Sequence, residues 1–99
     1  MIKRIVKLTF HPDKIQDFET LFEGVKHRIR SFPGCEHLEL WHDERDPRIF
    51  FTYSFWQSLQ DLENYRHSDL FQSTWKDTKA LFDGRPEAWS VKLVNQADQ

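Results

Sequence analysis

Four side chains in this 99-residue chain have the chemistry to bind and alter a small organic molecule: His42, Tyr53, Tyr65 and Trp75. The hydrophobic period predicts that the first two lie on strand faces turned toward helices, and that the other two lie on helices facing the same space. Aromatic walls with a few polar atoms suit a small phenolic or quinone-like ligand. The same predicted faces carry Val6 and Phe71, which would extend the apolar lining. Each of these residue types is also common in a plain hydrophobic core, and a histidine at a strand end is commonly solvated.

A break between two predicted helices, at residues 66–68, offers a mobile entrance to this space. Ser68 has the spacing of an N-cap for the second of these helices. Arg66 and His67 lie at the break, where they can hold an anionic group or gate entry. The alternative is that both are solvated loop side chains.

The elements that must position these residues follow from the spacing of apolar side chains. The predicted elements are strands at residues 2–10, 35–42, 48–56 and 88–94, a helix between Pro12 and Phe32, and a broken helix over residues 58–82. The order βαββαβ is the ferredoxin-like split βαβ arrangement. We therefore expect an α+β fold with one four-stranded antiparallel sheet covered by helices on one face.

In each predicted strand one face is more apolar than the other, and we expect that face to lie under the helices. These faces carry Val6, Leu8 and Phe10; Leu38, Leu40 and His42; Ile49, Phe51, Tyr53 and Phe55; and Trp89, Val91 and Leu93. The opposite face still holds too much large aromatic surface to be left in water. We expect a second copy of the sheet to cover it, forming a two-fold homodimer whose contact carries Trp41, Phe50 and Trp56.

The length and charge of the chain exclude several classes of protein. A length of 99 residues limits it to one domain, predicted over residues 1–95 with a frayed polar tail at 96–99. The 14 Lys and Arg nearly balance 16 Asp and Glu, so no net field attracts nucleic acid or an anionic membrane. Residues 48–55 match the signature strand of an RNA-recognition module in only some positions, which also disfavours RNA binding.

The cysteine and histidine pattern gives no metal site. Cys35 is the only cysteine and cannot form an internal disulfide, and no apolar run near the N-terminus resembles a signal peptide, so we expect a cytoplasmic protein. His37 and His42 point to opposite faces of one strand. Cys35 and His37 are predicted to share a face, but two candidates without a third ligand do not predict a metal centre.

Several of these motifs together resemble the antibiotic biosynthesis monooxygenase (ABM) superfamily of small dimeric α/β-barrel proteins. The resemblance covers nearly the whole chain. It rests on the split βαβ order, a tryptophan that ends the third strand, a serine cap two residues later, and a Ser-x-x-Phe start to the main helix. The residues that carry it are Phe32-Pro33-Gly34-Cys35, Tyr53-Ser54-Phe55-Trp56-Gln57-Ser58, Leu62, Tyr65, Ser68 and Phe71.

The resemblance implies a sheet-to-sheet homodimer with one pocket per subunit. In the catalytic branches of the superfamily, no flavin or metal is required, because the electron-rich substrate itself reduces dioxygen. It therefore implies a cofactor-independent monooxygenase whose partners are a small aromatic, phenolic or quinol molecule and dioxygen. Either His42 or Tyr53 would then accept a proton or hydrogen-bond the substrate.

Other branches of the superfamily fit the chain less well. The haem-degrading branch uses an Asn on the first strand, a Trp near the helix break and a His on the following helix. The corresponding positions of this chain hold Val6 (or Lys7), Tyr65 and Trp75. All three residues differ from those of the haem-degrading branch, so haem degradation is disfavoured. Tyr65 also replaces a mid-helix histidine of other branches. A non-catalytic ligand-binding or stress-response dimer and a cofactor-free isomerase of a small carbonyl metabolite therefore stay open as alternatives.

Overall fold

A computed structural model of the protein, which describes residues 1–98, confirms the predicted α+β fold. The sheet is antiparallel with strand order β2-β3-β1-β4, and the helices cover one of its faces. Every helix within the described residues is too short or too polar to span a bilayer. The elements are β1 (Ile2–Thr9), a 3-10 turn (Pro12–Lys14), α1 (Ile15–Arg30), β2 (Cys35–His42), β3 (Ile49–Trp56), α2 (Leu59–Arg66), α3 (Asp69–Lys79) and β4 (Glu87–Val91).

The helix break forms where the sequence predicts it, because two serine caps start new helices there. The Ser58 hydroxyl accepts a hydrogen bond from the backbone N–H of Asp61, and Ser68 accepts one from Phe71 in the same way. Such caps satisfy backbone groups that the first helical turn leaves unpaired. As a result, α2 and α3 are separate helices.

The hydrophobic core divides into two clusters along the covered face of the sheet. One cluster contains Ile2, Cys35, Trp56 and Leu62, with Phe32 and Tyr65 packed against it. The other is built on Leu8, Phe10, Phe18 and Phe50, with Val6, Phe22 and Trp75 among the residues around it. Burial of these large side chains stabilises the fold by roughly 25 cal/mol per Å² of apolar surface. The division leaves room between the clusters.

The predicted faces of β3 and β4 are wrong by one residue, although those of β1 and β2 are largely correct. Phe50 and Trp56 are buried under the helices, with 3% and 1% of their surface exposed, whereas Tyr53 lies on the opposite side against Trp41. In β4, Ala88 faces the helices and Trp89 lies on the open side with 46% exposure. The prediction failed in β3 because the more apolar face, which carries Phe51, Tyr53 and Phe55, is the uncovered one, whereas the covered face mixes Phe50 and Trp56 with Thr52 and Ser54.

The uncovered side of the sheet, which we call the open face, is therefore different from the one predicted. Phe50 and Trp56 are core residues and cannot contribute to a contact on this side. A bulge in β2 between Cys35 and His37 also separates these two residues, because Cys35 turns into the core while the ring of His37 packs against Phe55. The open face instead carries Ile5, Trp41, Phe51, Tyr53, Phe55, Trp89 and Val91, with Lys3, Lys7, His37, Glu39 and Glu87 among them.

Gly34 lies in the turn before β2, close to the side chain of Asp61. Its φ of +90° is a left-handed conformation, and a Cβ added there would collide with the side chain of Asp61 at the start of α2. Gly34→Ala is expected to lower the free energy of unfolding by about 2 to 4 kcal/mol.

The measurement is urea denaturation, with Gly24→Ala as the matched control. Gly24 lies inside α1 with nothing within 4 Å of an added Cβ, so its replacement is expected to stabilise the protein by about 0.5 to 1 kcal/mol. Equal effects of the two substitutions would contradict this account of the turn.

Candidate functional site

A cavity of about 310 Å³ opens between the two core clusters, enclosed by the sheet and all three helices. This volume lies at the small end of the roughly 300 to 1,000 Å³ typical of small-molecule sites. Small side chains on the strands make the space: Thr52 and Ser54 on β3 and Ala88 on β4. The wider lining comprises Arg4, Val6, Leu8, Phe18, Phe22, Leu38, Trp56, Leu62, Tyr65, Arg66, Phe71, Thr74, Trp75, Thr78 and Pro86, with further aliphatic residues of α1.

Four aromatic rings form a continuous wall across α2, α3 and the end of β3. Trp56 stacks on Tyr65 with centroids 4.8 Å apart, Tyr65 meets Phe71 edge-on at 5.3 Å, and Phe71 stacks on Trp75 at 5.8 Å. Trp56 is fixed by its indole N–H, which donates to the Ser54 hydroxyl at 3.0 Å. A wall of this kind matches the faces and edges of a flat aromatic ligand.

The polar groups that line the cavity are cations and hydroxyls. Arg4 lies on β1 in register with Val6 and Leu8, is partly buried, and donates from Nη1 to the Ser90 hydroxyl at 3.0 Å. Arg66 is exposed at the end of α2 and forms an ion pair with Glu63 at 3.1 Å. Within residues 1–98, no Asp, Glu or His lines the cavity, and no three potential metal ligands cluster anywhere.

This arrangement stabilises negative charge and offers no side-chain base. Guanidinium and hydroxyl donors hydrogen-bond an anion, and the surrounding aromatic rings weaken competition from water. Proton acceptance by a carboxylate or imidazole would need a residue that the lining does not supply. The cavity is therefore suited to bind an aromatic molecule that is already anionic or becomes anionic when bound.

Five of the eight predicted site residues lie together in this cavity. Val6, Tyr65, Phe71 and Trp75 contribute to its apolar wall, and Arg66 lies at its edge near the break between α2 and α3. Their roles in ligand binding stay predictions.

The other three predicted site residues lie outside the cavity. Tyr53 faces the open side of the sheet because the register of β3 is the opposite of the predicted one, and its ring lies 4.5 Å from that of Trp41. His42 ends β2 with an exposed ring whose Nδ1 contacts the Asp43 carbonyl at 2.9 Å. His67 is exposed, and its Nδ1 lies 2.8 Å from the Glu63 carbonyl oxygen. None of the three can contact a ligand held between the sheet and the helices of the same chain.

Sequence reasoning missed Arg4 and the small residues of the lining. Arg4 falls in the period-two pattern of Val6, Leu8 and Phe10, so a charged residue on an otherwise apolar face was the available signal. Thr52, Ser54 and Ala88 were predicted to lie on the face away from the helices, because the residues that alternate with them in β3 and β4 are more apolar. Such residues on a covered face indicate a space that a ligand can fill.

Tyr65 acts as a hydrogen-bond donor rather than a base at neutral pH. Burial raises the pKa of its phenol above the ordinary value, and the nearby Cys35 thiol adds to the increase. Its hydroxyl has no hydrogen-bond partner within residues 1–98, so it can donate to a ligand.

The raised pKa of Tyr65 predicts a loss of stability in alkali. Above pH about 10 the phenol of the unfolded chain ionises while that of the folded chain stays protonated, so the free energy of unfolding falls as pH rises. Urea denaturation at a series of pH values is expected to show this fall in the wild-type protein and less of it in Tyr65→Phe. Tyr53→Phe, which leaves Tyr65 in place, is the matched control. Identical alkaline slopes in the wild-type and Tyr65→Phe proteins would show that burial of Tyr65 does not favour its neutral form.

Comparisons of the fold with solved structures give close matches at low sequence identity. A crystal structure described as antibiotic biosynthesis monooxygenase superimposes with a TM-score of 0.89 at 20% identity, covering 96% of this chain and all of that one. A conserved protein from Methanosarcina mazei Go1 gives a TM-score of 0.87 at 20% identity over 92% of this chain and 90% of that one. A Nitrosomonas europaea protein, described as a candidate antibiotic biosynthesis monooxygenase, gives 0.87 at 14% identity over 96% and 100% of the two chains. These similarities establish the fold alone.

Comparisons of the sequence find one kind of curated relative and one family model. Over 52 residues the chain is 31% identical to heme oxygenase (staphylobilin-producing) from two strains of Staphylococcus epidermidis. That match covers 50% of this chain, and the chain spans about half the length of these curated relatives. The family model described as antibiotic biosynthesis monooxygenase matches residues 1–77, which is most of the chain and includes β1, the aromatic wall and the helix break. The chain therefore belongs to the antibiotic biosynthesis monooxygenase family.

Proposed function

We propose that this protein is a cofactor-independent monooxygenase acting on a small aromatic, phenolic or quinol substrate. The observation that carries the proposal is the 310 Å³ cavity, whose lining, among residues 1–98, combines an aromatic wall with cationic and hydroxyl donors and includes no carboxylate or imidazole. Family membership supports an oxygenation reaction in this space. The substrate then supplies the electrons, and the protein supplies an aromatic, electropositive site for the substrate anion.

The proposed reaction balances without any added reductant. A substrate with an acidic C–H or O–H loses a proton, and the resulting anion transfers electrons to dioxygen with formation of a carbon–oxygen bond. Protonation gives a hydroperoxide on a carbon that still carries hydrogen. Loss of water then breaks the O–O bond and leaves a carbonyl. One oxygen atom enters the product and the other leaves as water.

The residues of the cavity stabilise the anion and leave proton acceptance to water. The Tyr65 hydroxyl stays protonated and can donate a hydrogen bond to the ionised oxygen of the ring. The positive charge of Arg4 and Arg66 lowers the cost of ionising a bound phenol. His42 and Tyr53 do not line the cavity and supply no base to it within one subunit, so rates should rise with pH as the substrate ionises.

A homodimer formed through the open face is the second part of the proposal. Trp41, Trp89 and Val91 are 41%, 46% and 38% exposed on that face, beside the partly exposed rings of Tyr53 and Phe55. Lysines and glutamates share the same surface. A two-fold axis can therefore place the lysines of one copy against the glutamates of the other while burying the aromatic rings, which favours a second copy over a different partner.

The residues of the cavity do not fit a haem, although the heme oxygenase match raises that possibility. A haem iron needs an axial ligand such as His, Cys or an ionised Tyr. Within residues 1–98, no His or Cys lines the cavity, and the raised pKa of Tyr65 keeps its phenol protonated. The positions expected to supply the haem-degrading residues hold Val6 (or Lys7), Tyr65 and Trp75. We therefore derive no step through haem.

Oxygen consumption by the purified protein tests the proposed function. Naphthols, anthrones and hydroquinones are added in turn to an oxygen electrode after chelator treatment of the protein, and protein-dependent uptake is expected with at least one class. His42→Ala and Tyr53→Phe are expected to retain the activity because both residues lie outside the cavity. Saturable binding without oxygen uptake would favour a ligand-binding dimer, and turnover without oxygen would favour an isomerase.

A further inference from the structure

Arg4 is a partly buried cation with no carboxylate of the described residues in direct contact. Its only side-chain hydrogen bond within residues 1–98 is to the neutral hydroxyl of Ser90, and no carboxylate of these residues lies within ion-pair distance. The nearby Arg66, by contrast, has Glu63 as its partner. Desolvation lowers the pKa of Arg4 and the positive charge of Arg66 lowers it further, and the more distant carboxylate of Glu63 offsets only part of this decrease. A charge in this position costs free energy that an anionic ligand would recover.

The geometry of Arg4 suits one kind of anion better than others. Ser90 engages a single terminal nitrogen, Nη1, and so holds the planar guanidinium while its remaining N–H groups stay available. Two parallel N–H donors match the two oxygens of a carboxylate, whereas a phenolate offers only one oxygen. Arg4 lines the cavity together with the aromatic wall, so a ring and an attached carboxylate can be held at once.

We infer that Arg4 anchors a carboxylate group of the substrate, so that the protein prefers aromatic rings that carry a carboxylate to otherwise identical neutral phenols or quinols. This inference deepens the proposed function and rests on the cavity being its substrate site. The aromatic wall holds the ring, the Tyr65 hydroxyl meets the reacting oxygen, and Arg4 fixes the orientation of the ring from the carboxylate end. Val6, which lies between Arg4 and the second core cluster on β1, keeps the floor of the site apolar.

Binding of 3-hydroxy-2-naphthoate and of its methyl ester, followed by tryptophan fluorescence or calorimetry, tests the inference. The two probes share the ring and the hydroxyl and differ in the negative charge. The wild-type protein is expected to bind the acid at least about tenfold more tightly than the ester, since a charge-assisted hydrogen-bond pair is worth this much. This comparison needs no variant and so does not depend on the folding of one.

Variants of Arg4 test whether this residue causes the tighter binding of the acid. Arg4→Gln is expected to bind acid and ester equally, and Arg4→Lys to retain part of the preference because it keeps the charge without the planar donor pair. Arg28→Gln is the matched control, since Arg28 is exposed on α1 and outside the lining, and it should keep the full preference.

The outcomes separate this inference from the proposed function. Tight Arg4-dependent binding of the acid without oxygen uptake would support the inference and contradict the monooxygenase. Oxygen uptake with neutral naphthols, together with equal binding of acid and ester, would overturn the inference and leave the monooxygenase standing. A preference for the acid that survives in Arg4→Gln would also overturn it.

Discussion

Replacement of Tyr53 by arginine is expected to convert the proposed homodimer into monomers of 12.0 kDa. Tyr53 lies near the centre of the open face, paired with Ile5 on one side and Glu39 on the other. In the monomer an arginine can lie in water beside Glu39, so the fold should be retained. In a two-fold contact the same change buries two charges at once, which should weaken association at least about 100-fold.

Sedimentation velocity at micromolar concentration measures the effect. The wild-type protein and Tyr53→Phe are expected to sediment at twice the chain mass, because the phenylalanine keeps the ring that packs on Trp41. Arg28→Gln adds a control for a charge change far from the open face. A wild-type monomer, or a Tyr53→Arg protein that stays dimeric, would contradict the proposed contact.

Filling the cavity is expected to have the largest effect on activity. Ala88 lines the cavity from the edge strand β4, where its position is exposed to solvent, so a larger side chain there can enter the space without disturbing the core. Ala88→Trp should reduce kcat/KM for oxygen uptake by about 10- to 100-fold, since overfilling a packed site costs roughly 1 to 3 kcal/mol.

The control for this variant is an alanine-to-tryptophan substitution outside the cavity. Ala80 is exposed at the end of α3 and does not line the cavity, so Ala80→Trp should leave oxygen uptake within about twofold of wild type. Circular dichroism and the urea midpoint check that both variants are folded. Activity retained by Ala88→Trp, or lost equally in both variants, would show that the reaction takes place elsewhere.

Element types and order were predictable because local signals agree with the fold. The caps at Ser58 and Ser68, the stop at Phe32-Pro33-Gly34 and the stripe on α1 all act within a few residues of sequence. The aromatic members of the site, Tyr65, Phe71 and Trp75, were found for the same reason.

The strand faces of β3 and β4 were not predictable from apolar content. In β3 the more apolar set, which includes Phe51 and Phe55, lies on the open face, and the buried set combines Phe50 and Trp56 with two small polar residues. In β4 the larger residues Trp89 and Val91 lie on the open face, and the small Ala88 is on the side of the cavity. A rule that places large apolar residues in the core fails at a cavity, because there the covered face needs small side chains.

The reversal of β3 also changes the chemistry of the site. With Tyr53 on the helix side, the sequence suggested a tyrosine or histidine that takes a proton from the substrate. With Ser54 and Thr52 there instead, the cavity holds donors and cations, and its contribution is to stabilise an anion. Arg4 was overlooked because a charged residue on an apolar strand face is unfavourable for folding alone.

Isotope labelling of the product tests the central claim most directly. The chelator-treated protein is supplied with ¹⁸O₂ and the substrate class that supports oxygen uptake, and the product is analysed by mass spectrometry. The account predicts one labelled oxygen atom per product molecule, with the second recovered in water and with no haem, flavin or metal added. A product that carries no label, or label incorporation that appears only when haem is supplied, would contradict a cofactor-independent monooxygenase.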